Sequence, residues 1–165
     1  MLDTRRSRKK DRGRFTVKRV ALLLCMLALC TAAAGCAQET ALQLPFDAAQ
    51  VTGVEMYRFT VPADAEKKVL TQEADIRAVY ELFDGLAVSD RKTRAEAGET
   101  VTGFRFYLTD GAEYELIYCA QGVKRGRLVI PGAQAEYFTS ADVGAAWQHG
   151  GEAAPAKESE LPAIS

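Results

Sequence analysis

The stretch from Thr102 to Tyr118 constrains the fold more than any other, because its alternation leaves one hairpin register that builds a face. Asp110-Gly111 separates two runs, Thr102 to Leu108 and Ala112 to Tyr118, rich in aromatic and β-branched residues. A two-residue turn would set Phe106 opposite Glu115 and Leu108 opposite Glu113. A three-residue loop, Thr109-Asp110-Gly111 with Gly111 at positive φ, instead pairs Leu108 with Ala112, Phe106 with Tyr114, Phe104 with Leu116 and Thr102 with Tyr118. That face is almost wholly apolar. The other then sets Arg105 across from Glu115 and Tyr107 across from Glu113, as on a solvated surface, and makes Arg105 and Tyr107 candidates for protein contact.

Other elements follow by the same reasoning. Val54 to Val61 has strand composition, and Lys67 to Leu70, after the Pro62 loop, returns beside it. Glu73 to Leu86 places Ile76, Val79, Tyr80, Phe83 and Leu86 on one helical stripe, with Thr71 as its cap and Gly85 as its stop. Glu73 and Asp75 complement the positive end of its dipole. Ser89 to Glu99 reads as a charged loop, Arg127 to Ile130 and Ala135 to Thr139 as strands, and Ser140 to Gln148 as a closing helix capped by Ser140. The expected class is α+β: an antiparallel sheet with one face covered by one or two helices, in the order ββαββββα.

Upstream, the apolar run Val20 to Ala34 follows Lys18-Arg19 and ends in small residues. It is too short for the roughly 20 residues that span a bilayer and has the three parts of an export signal. Ala33-Ala34-Gly35-Cys36 resembles the lipobox of bacterial lipoproteins, with Ala33 where that family most often has leucine. The resemblance implies cleavage after Gly35, acylation of Cys36 by chains such as palmitate, and anchoring at the extracytoplasmic face of the cell membrane. By this reading residues 1–35 are a signal, 36–50 the lipidated cysteine and a flexible tether, 51–149 one small domain and 150–165 a disordered tail.

Removing the signal changes the charge. Residues 1–35 hold 9 of the 21 Lys and Arg but only 2 of the 22 Asp and Glu, so the remainder carries a net charge of about −8. Such a chain is a poor match for nucleic acid. Cys25 and Cys30 lie in the signal and Cys36 takes lipid, which leaves Cys119 as a free thiol with no disulfide or thiolate metal cluster to join.

The search for chemistry finds little. His149 is the one histidine, there is no asparagine, and HExxH, paired CxxC, GxSxG and phosphate-binding glycine loops are absent. No catalytic residue, metal or cofactor is assigned. Glu113 and Glu115 share a strand face opposite Tyr107 and Arg105, which reads as solvated surface rather than a hydrolytic pair. Arg91, Lys92 and Arg94 in one loop, with Lys124, Arg125 and Arg127 around a later turn, form two basic clusters suited to an anionic polymer or acidic partner. The expectation is a membrane-anchored, non-catalytic binding module of the cell envelope. The alternatives are a carboxylate-dependent hydrolase acting on envelope material and an accessory subunit of an envelope complex.

Overall fold

The computed structural model describes residues 39–91 and 93–163. The expected signal, the Gly35-Cys36 junction and Lys92 lie outside the described residues. No described helix is long and apolar enough to cross a membrane.

The strands are β1 (Glu39–Ala41), β2 (Val51–Phe59), β3 (Glu66–Leu70), β4 (Ala87–Ser89), β5 (Thr100–Leu108), β6 (Glu113–Gly122), β7 (Arg125–Ile130), β8 (Ala135–Thr139) and β9 (Ala154–Pro155), with helix α1 (Glu73–Phe83) between β3 and β4. They form one nine-stranded sheet, ordered β1-β4-β8-β7-β6-β5-β2-β3-β9, with antiparallel neighbours throughout. The α+β class with an antiparallel sheet stands. The expected order ββαββββα does not: three short strands, β1, β4 and β9, extend the sheet edges. The last helix is instead a 3₁₀ turn at Val143–Gln148. Ser140 does not cap it, although Val143 and Ala146 are buried.

The β5–β6 hairpin has the expected register, from Thr102 opposite Tyr118 to Tyr107 opposite Glu113, and Gly111 has φ +84°. Its apolar face receives α1. Ile76, Val79 and Phe83 are buried, and the Phe83 ring meets Phe104 edge-on with centroids 4.8 Å apart. Gly85 stops the helix at φ +82°. The start is Gln72 rather than Thr71, without a side-chain cap, because the helix begins only at Glu73.

Both flanking segments depart from expectation. Residues 39–50 are no loose tether: β1 pairs with β4, Leu42 exchanges backbone hydrogen bonds with Gly85 and Leu86 at 2.8 Å, and Phe46 packs against Tyr80, Phe106 and Tyr114. The physical reason is alternation, since Leu42, Leu44 and Phe46 recur every second residue and close one side of the helix-covered core. The tail is not disordered over residues 150–163 either. β9 pairs with Glu66 and Lys67, and the chain continues as a strap across the face of the sheet opposite α1. That face carries a second apolar cluster of Phe59, Ala65, Val101, Ile117, Cys119 and Val129, and Ala156 and Leu161 pack on it. Gly103 lets the strap approach, because a Cβ there would lie 2.6 Å from Cγ of Pro162.

Candidate binding cleft

Strands β2 and β6 finish, and β5 and β7 begin, at one end of the sheet. There the Glu96–Thr100 segment, the helix-side surface of β2, β5 and β6, and the Asp142–Gln148 segment enclose a cleft of about 600 Å³. Tyr118 lines it. Burial, with a smaller push from the Asp142 carboxylate, raises its hydroxyl pKa to about 12, so the phenol stays neutral. The ring lies against Gly126 on β7, where a Cβ would meet the Tyr118 ring and come within 2.6 Å of the Cys119 carbonyl oxygen.

Trp147 forms another wall. The Arg58 guanidinium carbon is 5.9 Å and Lys68 Nζ 5.2 Å from its ring centroid, while Nζ donates a hydrogen bond of 2.8 Å to the Trp147 carbonyl. Lys68 thus pins the 3₁₀ turn to β3, and Arg58, exposed, supplies a cation at the cleft. An aromatic platform, a neutral phenol and a cation suit binding of a polar ligand that also presents an apolar surface.

Glu99 marks the side of the cleft toward the strap-side face. It accepts hydrogen bonds from Gln121 Nε2 at 2.9 Å, from the Glu96 N–H at 2.8 Å and from Arg127 at 3.3 Å. Burial works to raise its pKa, but these donors outweigh burial and hold it below the ordinary carboxylate range. Glu99 is therefore an ionised partner of Arg127 rather than a proton donor at neutral pH. Arg127 also faces Glu136 at 3.5 Å.

Beneath the strap, Glu55, Arg105 and Glu115 align in one row across β2, β5 and β6. Arg105 Nε donates to Glu115 at 2.8 Å, and its guanidinium reaches the Tyr57 hydroxyl and the Glu160 carbonyl, each at 3.2 Å. Tyr57 and Tyr107 donate to the same Glu55 oxygen at 2.5 and 2.9 Å. Lys67 Nζ donates to Glu160 at 2.7 Å. Burial first, then the neighbouring Glu55 carboxylate, raises the pKa of both tyrosines. Burial opposes the Arg105 charge, but the Glu115 carboxylate and its other hydrogen-bonding neighbours raise its pKa overall.

The expected site residues therefore separate. Arg105 and Tyr107 are half-buried in this network and do not form an open solvated contact face. Glu113 and Glu115 both face Arg105, at 3.7 and 2.8 Å. Arg127 leaves the basic clusters, being buried between Glu99 and Glu136. Arg94, Lys124 and Arg125 are exposed, and the 2.7 Å bond from Gln121 to the Arg94 carbonyl ties the two segments at one corner. Arg91, also exposed, lies over the Phe138 ring at 5.1 Å. Cys119 is buried with its thiol pKa pushed up by burial, which suits an inert core residue. His149 follows the last 3₁₀ residue, 3.9 Å from Asp75.

Sequence reasoning missed the Arg58–Trp147 wall. Its signal was the placement of Arg58 on the same strand face as Val54 and Met56, which puts a cation on the helix-covered side. Comparison with family models, curated proteins and solved structures finds no match to this chain.

Proposed function

We propose that this chain is a lipid-anchored, extracytoplasmic binding module of the cell envelope, held at the membrane through Cys36. Its domain recognises an envelope protein or polymer through the Arg58–Trp147 cleft, with Arg94, Lys124 and Arg125 adding positive charge at the neighbouring corner. The cleft carries this reading: its phenol is neutral, its buried carboxylate is committed to Arg127, and Trp147 with Arg58 offers a mixed polar and apolar surface. The Val20 to Cys36 sequence supports the address.

The test is site-specific photocrosslinking in the native envelope, with a benzophenone amino acid at Gln148 in the cleft and at exposed Glu81 on α1 as reference. One recurrent adduct at Gln148, weakened by Arg58→Ala and lost when Cys36→Ala releases the chain, is the expected result. Adducts at Glu81 alone would move the contact away from the cleft. Metabolic labelling with an alkynyl fatty acid tests the anchor separately, and label retained by Cys36→Ala would refute it.

A further inference from the structure

The approach to β1 carries a consequence for how the domain stands on its membrane. Cys36 and Glu39 are separated only by Ala37 and Gln38, and Glu39 is already paired with Ser89 in the sheet. Resting on the lipid-anchor reading, we infer that the β1 edge lies directly on the bilayer surface, in a fixed stance, rather than at the end of a swinging tether.

The argument is one of reach. Three residue steps span at most about 10 Å when fully extended. A flexible linker over residues 37–50 would have allowed roughly 20 Å and any orientation. Here Glu39 already belongs to an edge strand whose pairing with β4, and the Leu42 bonds to Gly85 and Leu86, fix it to the domain. The edge is suited to headgroups in its chemistry as well. Glu39, Thr40 and Ala41 are all exposed, and β4 leads straight into Asp90 and Arg91, whose guanidinium is held over Phe138.

Glu39 and Asp90 outweigh Arg91 along this edge, so the tether and not net charge sets the stance. The opposite side of the sheet is seven strand steps away at β3, roughly 30 Å in a twisted sheet. Its Val69, 54% exposed, stands clear of the membrane. The cleft, on β2, β5 and β6, is four to six strand steps from β1, roughly 20 to 30 Å along the sheet, and so lies open to partners beyond the headgroups.

The full-length acylated protein, in vesicles of phosphatidylcholine with or without phosphatidylglycerol, tests this directly. A nitrobenzoxadiazole label is placed at Thr40→Cys or at Val69→Cys, Cys119 being buried and protected, and quenching by headgroup-proximal spin-labelled lipid is measured. Several-fold stronger quenching at position 40 than at 69, in both lipid mixtures, is expected. Insertion of a flexible Gly-Ser segment between Gln38 and Glu39 should abolish that difference. Equal quenching at the two positions, with the protein still floating with the vesicles, overturns the stance and leaves the anchor intact. A difference seen only with phosphatidylglycerol overturns the tether argument in favour of charge. Failure to float with the vesicles refutes the anchor itself.

Discussion

The two faces of the sheet are built on opposite principles. Toward α1 the sheet offers Val54, Met56, Phe104, Phe106, Leu116 and Leu128, all at most 1% exposed, and one amphipathic helix covers them without an ion pair among them. Toward the strap it offers a smaller apolar cluster at one end and the Glu55–Arg105–Glu115 row at the other. The first face is non-directional and tolerates any well-shaped apolar cover. The second needs a cover that supplies specific polar groups, and the strap does so with the Glu160 carboxylate and carbonyl, while the apolar ring of Pro162 settles over Gly103. Fold stability should therefore reside mainly on the helix side, and the uniqueness of the tail's path on the strap side.

The largest expected effect tests the helix side. Phe106 is fully buried between Phe46 and Phe83, with ring centroids 5.6 and 6.1 Å away. Phe106→Ala should cost about 3–5 kcal/mol, a large share of the 5–15 kcal/mol typical of a domain. Urea unfolding followed by tryptophan fluorescence measures it. A loss under 1 kcal/mol would mean that this face is not the main core.

Next comes the ion pair that joins the cleft loop to β7. The side chains of Glu99 and Arg127 are 8% and 10% exposed, so Glu99→Gln leaves a buried guanidinium with only Glu136 nearby. Breaking such a pair typically costs 3–5 kcal/mol; with Glu136 retained, about 2–3 kcal/mol is expected here. Because the folded-state pKa of Glu99 is lowered, its contribution is present above the unfolded value and lost as pH falls through the folded one. The acid limb of stability against pH should flatten in Glu99→Gln. An unchanged limb would place the acid sensitivity elsewhere.

How much of this was legible follows the same division. The helix-side face could be read from the sequence because a buried face imposes a strict period: Phe104, Phe106, Tyr114 and Leu116 alternate with Arg105, Tyr107, Glu113 and Glu115, and one register satisfies them all. The strap-side face could not. Val101, Ile117 and Cys119 lie in phase with Arg105 and Glu115, and their apolar character was the sign that this face also needed cover. The strap itself, Ala154 to Pro162, has loop composition, and its order comes from tertiary contacts that composition does not record. Leu42, Leu44 and Phe46 did alternate, but over too short a span to stand out from a linker. The cleft depends on Trp147 and Arg58, distant in sequence, meeting through Lys68, which no local pattern encodes.

The strap provides the finest test of the comparison. Gly103→Ala places a Cβ where Pro162 lies, and either the strap shifts or its end detaches. The expected cost is about 1–2 kcal/mol, as for overpacking, with the helix-side core untouched. Hydrogen exchange should rise at Ala156, whose N–H donates to the Ala65 carbonyl at 2.8 Å, and stay unchanged in α1. Lys67→Met is milder still. The Lys67 pKa is raised first by its hydrogen bond to Glu160, a partner whose side chain is 34% exposed, so losing the pair should barely move global stability. It should still speed exchange at Leu161, whose N–H closes the Glu158–Glu160 turn. If Lys67→Met slowed unfolding or left strap exchange unaltered while Gly103→Ala raised it, the polar contacts would be incidental. The tail would then be held by Pro162 and Leu161 alone, and the two faces would differ in extent but not in kind.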